Sequence, residues 1–598
     1  MSSSLKYNYR VQLLLELAKD FIPPLLIASL LLSFLPSLLS DGLFLQSLWH
    51  LSICIAYWTV NVKYTDWKNG NEAKKMGGVY LPRLKGKWPG NLDIALSLAK
   101  LSEEGYVLES FERLFASPGG GDEVTTFNLG TLWRDTYVTR DHRVMQAVLA
   151  TEFDNFWKGP EFRMRTRRSF GDGIGGADGA EAKAHRAMTR PFFARERVQD
   201  FGIFERYTDK VLTHLLARSN SSQAIDIQDI FSRFTMDAAG EFFFGSTTFN
   251  TLDLPLPPPN KKSKLGPKGT EPEGSYGSFA YPFEKLQEVT LIRNLRGPLK
   301  VWGLMEFWKD ETKIHRLAVD AFIDPLIEDA LKEKRKRGMK QRDPDEGNLV
   351  DHLVDMTNDL KLIRDELFNI LTAARDTTAM LLTFTTYLLC LHPDVMATLR
   401  KEVLTYVPNG PPTFDDVRKM RYLRAVLNET LRLFPPAPLN LRSSRLSTLL
   451  PPDQTTNGKP IYIPGGTTVL FTPLLMQRRK DLWGSDADEF DPERWIDKER
   501  VKKMTDDPFM FLPFGAGPRI CLGRNFAYNQ ASFIMIRILQ TFDTFTLRQQ
   551  EDAPDGSCPP ASWRGAPGRK GIETIWPKMC ISLFIKGGCW VHMSIADS

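Results

Sequence analysis

Cys521 lies in a glycine-rich loop, PFGAGPRICLG, that runs from Pro513 to Gly523. An aromatic residue and an arginine precede the cysteine, and a long apolar stretch follows it. A thiol in such a loop is a small buried side chain, one half of a disulfide, or a thiolate that does chemistry or binds a metal. The loop alone leaves these three interpretations open.

The other five cysteines favour the first interpretation for themselves. They form no CxxC pair and no regular framework, so a zinc module or a disulfide-stapled secreted fold is not expected. Each of them is interpreted as an inert buried thiol. They are Cys54, Cys390, Cys558, Cys580 and Cys589.

A carboxylate interrupts the longest helical pattern of the chain. Residues 364–391, RDELFNILTAARDTTAMLLTFTTYLLCL, are apolar nearly all round, which predicts a helix buried in the core. Asp376 lies in the middle of this pattern, directly before Thr377 and Thr378. A carboxylate in a core is costly unless it is paired or has a functional role.

Glu429 and Arg432 are spaced to pair on one face of a helix. They lie three residues apart in RAVLNETLRLF, residues 424–434, and the helix must stop at Pro435-Pro436. Further along, FDPERW supplies Arg494, which can complete an interlocked Glu-Arg-Arg network.

The elements that must position these groups are mostly helical. Strand patterns are short and few, at 468–472, 579–585 and 590–593, so the fold class is mainly α with small β-sheets. The 598 residues are 42% hydrophobic and 25% charged, which is a globular composition. A net charge of only +5 gives no reason to expect nucleic acid as a partner.

Two uncharged apolar runs near the N-terminus, residues 21–40 and 43–62, predict a membrane anchor. Each is long enough as a helix to cross a hydrocarbon core of about 30 Å. Either both runs span as a hairpin, or one spans and the other lies in the interface. Basic residues flank the pair on both sides, and this favours the hairpin with both ends in the cytosol. They are Lys6, Arg10, Lys19, Lys63 and Lys68.

The chain therefore divides into three predicted parts. Residues 1–64 form the anchor, 65–91 form a stiff polar linker, and 92–598 form the soluble body. Within that body, mobile loops are predicted near 254–277 and 551–570, because both segments are rich in proline, glycine and charge.

Four motifs in a fixed order resemble the cytochrome P450 family over about residues 79–593. AARDTT is similar to the oxygen-binding helix motif, ETLR to the Glu-x-x-Arg motif, and PERW to the segment that follows it. The cysteine loop is similar to the haem loop at Phe514, Gly517, Arg519, Cys521 and Gly523. The N-terminus and HRAMTRPFF resemble fungal microsomal members that hydroxylate fatty acids and alkanes.

The resemblance implies a P450 fold and haem, iron protoporphyrin IX, as cofactor, with Cys521 as the axial ligand of the iron. A thiolate ligand pushes electron density onto haem iron and favours O–O cleavage. Gly515, Gly517 and Gly523 would let the backbone pass close to the macrocycle and direct N–H groups at sulfur. A helix that begins near Leu522 would place its positive end at the cysteine.

On the oxygen side, the resemblance gives Thr377 and Asp376 the catalytic roles of hydroxyl and acid in a proton relay. The alternative is that Thr377 only bonds to the carbonyl four residues earlier and bends the helix. Both can hold at once.

Basic residues are expected around the two haem propionates. Arg519, two residues before the cysteine, is the first candidate, and Arg442 lies where the family usually places another. Arg186 and His185 in AHRAMTRP are further candidates.

Two residues depart from the family pattern. Ala182 stands where a tryptophan usually donates its indole N–H to a propionate, so haem retention would depend more on arginines. Ala374 stands where the oxygen helix usually has glycine, and its methyl narrows the space beside oxygen.

The implied activity is hydroxylation of a lipophilic substrate with O2 by a membrane-bound enzyme, with membrane lipid around the anchor. No flavin or nicotinamide domain is visible, so electrons would come from a separate NADPH-cytochrome reductase. The endoplasmic reticulum, with the catalytic domain facing the cytosol, is the expected location. The substrate is either a long-chain fatty acid or alkane, or a terpenoid or prenylated aromatic intermediate of fungal secondary metabolism.

Apolar residues at helical spacing and after the Pro435-Pro436 stop predict the pocket for this substrate. They are Phe368, Ile370, Leu371, Ala374, Ala437, Pro438 and Leu439. Two other classes of function stay open: a haem-thiolate isomerase or dehydratase that needs no reductase, and a non-catalytic haem or lipid binder.

Overall fold

Helices make up most of the chain, as the apolar periodicity predicts. The computed structural model describes residues 8–34, 42–116, 124–193, 201–245, 249–259, 268, 274–338 and 347–597. The α-helices of the first half are α1 Tyr9–Ser33, α2 Leu43–Lys75, α3 Leu92–Glu104, α4 Glu109–Phe115, α5 His142–Gln146, α6 Gly159–Phe170, α7 Gly179–Thr189, α8 Gly202–Asn220, α9 Ile227–Phe244, α10 Gly274–Leu295 and α11 Leu299–Met305. Those of the second half are α12 Lys313–Arg337, α13 Leu349–Met356, α14 Leu360–Leu391, α15 Pro393–Tyr406, α16 Phe414–Lys419, α17 Arg421–Leu433, α18 Pro473–Met476, α19 Lys480–Trp483, α20 Lys498–Asp506, α21 Arg524–Thr541, α22 Gln549–Asp552 and α23 Arg569–Ile572.

Helix α14 is the central element of the body. The carboxylate of Asp359 caps its N-terminus by accepting from the amide of Leu362, and the helix ends before Pro393. Most of its 32 residues are buried, as a pattern that is apolar nearly all round predicts. It packs along α9, where the Thr235 hydroxyl donates to the carbonyl of Arg375 at 2.9 Å.

The strands form small sheets around this helical core. The largest sheet has the order β1-β2-β8-β5-β3, with β2 and β8 parallel and the other pairs antiparallel. A three-stranded sheet has the order β4-β12-β9, and two hairpins pair β6 with β7 and β10 with β11. The strands are β1 Thr126–Asn128, β2 Thr136–Thr139, β3 Phe156–Trp157, β4 Ile225–Asp226, β5 Asn440–Ser444, β6 Thr448–Leu450, β7 Ile461–Ile463, β8 Thr468–Phe471, β9 Phe542–Leu547, β10 Pro577–Met579, β11 Leu583–Ile585 and β12 Trp590–Ile595.

The N-terminal helices differ from the predicted pair of spans. Among the described residues, Leu43–Lys75 is the one unbroken helix that is long and apolar enough to cross a membrane. Helix α1 begins well before residue 21 and includes charged residues, and residues 35–41 lie outside the described part. The two helices still pack as a hairpin, since the indole of Trp58 donates to the carbonyl of Asp20 at 3.0 Å.

The start of α1 is docked on the body rather than free. Tyr9 is buried, packs against the ring of Trp302 with 5.0 Å between ring centroids, and donates its hydroxyl to the carbonyl of Glu306 at 2.8 Å. Lys300 forms an ion pair with Asp20. Arg10 and Lys19 therefore belong to a helix that contacts the body.

The predicted stiff linker and one predicted mobile loop are both packed against the body. In the predicted linker, Val79 forms a β-bridge with Ile461 of β7, and Arg83 forms one with Asn128 of β1. The guanidinium of Arg83 also forms an ion pair with Asp135 at 2.8 Å. In the predicted loop 551–570, Trp563 and Arg569 are buried side chains. Of the predicted loop 254–277, residues 260–267 and 269–273 lie outside the described residues.

Candidate functional site

The Cys521 loop is held in a closed turn before a long helix. The amide of Cys521 donates to the carbonyl of Phe514 at 3.0 Å, and α21 begins three residues after the cysteine. Gly515 and Gly517 have φ values of 68° and 64°, a region that side chains disfavour. A Cβ on Gly517 would also lie 1.9 Å from the carbonyl oxygen of Leu149. The glycine pattern thus shapes the turn and its packing.

Gly523 differs from Gly515 and Gly517 in its backbone conformation. Its φ of −81° is open to any residue, and a Cβ there would meet the ring of Phe193 at 3.6 Å and the Cys521 sulfur at 4.0 Å. A small side chain at this position would make ordinary van der Waals contacts, so neither backbone conformation nor space beside the sulfur requires this glycine. Phe514 packs against the ring of Tyr528 at 5.1 Å on the other side of the loop.

Cys521 differs from the other cysteines in its exposure and in its charged neighbours. Of the six cysteines, all of which lie within the described residues, it alone is exposed. Burial by the surrounding protein raises the pKa of its thiol, while the amide of Gly523 and the charges of Arg186 and Arg524 oppose that rise. Burial alone raises the pKa of Cys390 and leaves it an inert thiol.

Three cations lie together beside this loop, and we call Lys158, Arg442, Arg519 and their carboxylate Asp178 the basic cluster. Burial and repulsion by its two cationic neighbours lower the pKa of Lys158 to about 7. Burial and repulsion by Arg519 lower the pKa of Arg442 to about 10. Asp178 lies 3.8 Å from Arg519 and accepts from the amides of Lys158 and Gly159. With one carboxylate for three cations, the cluster is short of two negative charges.

The two propionate candidates of helix α7, Arg186 and His185, lie in different surroundings. Arg186 donates to the carbonyl of Ile520 at 3.0 Å, next to Cys521. His185 is buried against Glu366 of α14. Its Nδ1 is committed to that carboxylate, so His185 joins two helices instead of adding to the basic cluster.

Asp376 and Thr377 also lie in different surroundings. Thr377 is half-buried and donates to the carbonyl of Ala373 at 2.7 Å, which is the local helix contact that sequence reasoning allowed for. Asp376 is buried and accepts from Lys268 Nζ and Gln287 Nε2, each at 2.7 Å. Burial opposes its charge, but Lys268 and Arg375 hold the pKa of Asp376 below its usual value.

The open part of α14 is narrower than the apolar pattern predicts. Ala373 is exposed and Ala374 and Thr377 are half-buried, whereas Phe368 and Leu371 are fully buried in the core among other phenylalanines. A pattern that is apolar all round cannot tell which side faces a pocket and which faces another helix. Beyond Pro436, Ala437 is exposed, Leu439 is half-buried and Pro438 is buried.

Glu429, Arg432 and Arg494 form one buried network. Arg432 makes two bonds to the Glu429 carboxylate, at 2.7 and 2.8 Å, and Arg494 approaches it at 3.4 Å. The indole of Trp495 donates to the same carboxylate at 2.9 Å. Arg432 also donates to the backbone carbonyls of Gln477, Ala487 and Glu489. The network ties α17 to the segment that leads into the cysteine loop.

The residues present fit a haem with two propionates. A cluster that lacks two negative charges suits two carboxylates, and an exposed thiol between arginines suits an iron ligand. Sequence reasoning missed Lys158, Asp178 and Lys268. Lys158 stands in FWKGPEF, which matches no motif, and only folding brings it to Arg442 and Arg519.

Comparisons with known proteins agree with this geometry. The family model described as Cytochrome P450 matches residues 89–562. Cytochrome P450 52A13 of Debaryomyces hansenii is 33% identical over 480 residues, which cover 78% of this chain and 86% of the relative. Cytochrome P450 monooxygenase himC of Aspergillus japonicus is 33% identical, covering 72% of each chain. Cytochrome P450 monooxygenase alt2 of Alternaria solani is 31% identical, covering 79% of this chain and 87% of the relative.

The family match covers most of the soluble body and includes every motif named above. Family members bind haem iron and act as monooxygenases, and the thiol, the basic cluster and the mainly helical fold are in place for both. The chain belongs to the cytochrome P450 family and is a haem-dependent monooxygenase.

Proposed function

We propose that this monooxygenase hydroxylates a long aliphatic chain, with electrons from a separate NADPH-dependent reductase. The observation that carries the substrate class is the open face of α14, where the small side chains of Ala373 and Ala374 flank the Thr377 hydroxyl. Such a face offers van der Waals contact and a single hydroxyl, which suits a substrate without polar groups near the reacting carbon. Ala437 and the half-buried Leu439 add apolar surface of the same kind.

Cys521 is proposed as the axial ligand, and haem bound through a thiolate supplies the oxygen-activating chemistry. Arg519, Arg442 and Lys158 are proposed to hold the propionates, because their charges are not balanced within the protein. Arg186 is proposed to fix the backbone of the cysteine loop through Ile520. These contacts compensate for the indole that Ala182 does not provide.

Thr377 is proposed to hold and pass a proton on the open face of α14, with Asp376 as the acid behind it. The hydroxyl donates to the Ala373 carbonyl, so its oxygen lone pairs remain able to accept a proton donor from the pocket side. The endoplasmic reticulum membrane is proposed as the location, with α2 as the anchor. The docked start of α1 would then keep the body close to the lipid in which an aliphatic substrate dissolves.

Turnover with a purified fungal NADPH-cytochrome reductase tests the proposal. We expect hydroxylated product from a panel of fatty acids and alkanes, only when both NADPH and reductase are present. Thr377→Ala should keep the thiolate spectrum but release several-fold more hydrogen peroxide per NADPH, and Thr383→Ala, a buried threonine with the same helix contact, is the matched control. Product without reductase would indicate an isomerase or dehydratase, and a terpenoid product alone would refute the aliphatic substrate.

A further inference from the structure

Lys268 is buried between α14, α10 and the turn that joins β10 to β11. It comes from the segment between α9 and α10 for which a mobile surface loop is predicted, yet it is only 5% exposed. Its ammonium donates to Asp376 at 2.7 Å, to Gln287 of α10 at 2.9 Å, and lies 3.4 Å from the hydroxyl of Ser582. A charged side chain this deep must be explained by its partners.

The partners of Lys268 form a charge-balanced group. The Asp376 carboxylate also accepts from Arg375 at 3.0 Å, and Arg375 reaches Glu284 of α10 at 3.1 Å. Two cations and two carboxylates therefore neutralise one another, and all four side chains are almost fully buried. Lys268 is the member that α14 and α10 do not supply.

We propose that Lys268 is a positioning residue for Asp376, keeping the carboxylate ionised and held on the α10 side of α14. The inference rests on the proposed relay of Asp376 and Thr377. The hydrogen bonds from Lys268 and Gln287 fix the position of the Asp376 carboxylate and favour its ionised form. After Asp376 has passed a proton, it therefore returns to the ionised form. The proton supply of the open α14 face is then set by a residue outside the AARDTT motif.

Removing Lys268 should change the protonation of Asp376. The ionisable groups that face Asp376 are Lys268 and Arg375, with Glu284 behind Arg375 and the thiol of Cys580 nearby. Asp229, itself paired with Arg233, lies behind Arg375 on α9. Without Lys268 the Asp376 carboxylate shares Arg375 with Glu284, and burial, no longer offset by the lysine, raises the pKa of Asp376.

The test uses the full-length holoenzyme and three variants. Lys268→Met removes the charge, Lys268→Arg keeps it, and Lys210→Met removes a lysine from the exposed ion pair with Asp253 as a matched control. Infrared difference spectra against the same protein carrying Asp376→Asn should show the C=O band of a protonated acid at pH 7 in Lys268→Met. The wild type, Lys268→Arg and Lys210→Met should lack this band.

A second measurement is the hydrogen peroxide released per NADPH as a function of pH. Lys268→Met should gain an inflection between about pH 6 and 9, with at least a threefold change that the wild type and Lys268→Arg do not show. An ionised Asp376 and an unchanged pH profile in Lys268→Met would overturn the inference. If this variant does not take up haem, Lys268→Gln, which keeps a donor without the charge, carries the same expectation.

The two proposals fail differently in these measurements. If Asp376 becomes protonated in Lys268→Met but Asp376→Asn and Thr377→Ala leave peroxide release unchanged, Lys268 sets the charge and the relay is wrong. If those two variants raise peroxide release while Lys268→Met keeps Asp376 ionised, the relay stands and the role of Lys268 is wrong.

Discussion

Replacing Lys158 with methionine removes one of the three cations of the basic cluster. The Lys158 ammonium donates to the carbonyl of Gly175, and burial together with repulsion by Arg442 and Arg519 lowers its pKa to about 7. A propionate carboxylate placed among these cations favours the charged lysine and returns its pKa toward the ordinary value of about 10.4. Haem binding above pH 7 therefore requires Lys158 to take up a proton.

The size of the effect follows from this proton. Where the free protein has lost the proton and the complex keeps it, affinity falls about tenfold for each pH unit. For a free pKa of about 7, affinity falls about fifty-fold between pH 7 and pH 9 through Lys158 alone. Ligation by Cys521 releases a proton and so has the opposite slope, because burial raises the pKa of that thiol.

The ratio of the haem affinities of the wild type and Lys158→Met reports the contribution of Lys158 alone. Both the wild type and Lys158→Met carry Cys521, so its proton cancels in the ratio of their haem affinities. That ratio should fall about fifty-fold from pH 7 to pH 9, and it should stay level below about pH 6, where Lys158 is charged in both states.

The assay is the equilibrium partition of haem between the enzyme and apomyoglobin, followed by the Soret spectrum at each pH. Lys183→Met, which removes an exposed lysine from helix α7, is the control and should follow the wild type at every pH. A wild-type to Lys158→Met ratio that stays constant between pH 7 and pH 9 would refute the reasoning. Lys158 would then not contact a propionate.

Two further predictions concern the network and the ligand. Glu429→Gln leaves the buried guanidinium of Arg432 without its counter-charge, while Arg494 keeps its ion pair with Asp486, and it should lower the free energy of unfolding by about 3–5 kcal/mol in urea titrations. The exposed Glu493→Gln should change it by less than about 0.5 kcal/mol, and equal losses would contradict the buried-charge argument. Cys521→Ala should abolish the carbon monoxide difference band of a haem thiolate, whereas Cys390→Ala should retain it; a band that survives in Cys521→Ala would disprove the ligand assignment.

The local sequence pattern predicted two helices that contain site residues and one strand, because apolar periodicity and proline positions can be recognised within short stretches. The helix containing Asp376, the helix that ends before Pro435 and the strand at 468 lie within a few residues of where periodicity and proline placed them. The charge pair of Glu429 and Arg432 follows from helix geometry alone.

Contacts between distant segments could not be predicted in the same way. The apolar pattern of α14 predicted burial but assigned Phe368 and Leu371 to a pocket, and both pack in the core. The segments 65–91 and 551–570 have the composition of a linker and a mobile loop, yet ion pairs and buried aromatic residues fix them to the body. Composition describes what a segment can expose, and it does not describe which partners the fold brings to it.

The sequence by itself determined the family, the haem and the mainly helical class, and it singled out the cysteine that we propose as the iron ligand, because each depends on residue types at fixed local spacing. Tertiary structure alone decided which charges meet. It brought Lys158 to Arg442 and Arg519, turned His185 to Glu366, and placed Lys268 on Asp376. The physical reason is that buried charges require partners, and a fold can supply those partners from any part of the chain.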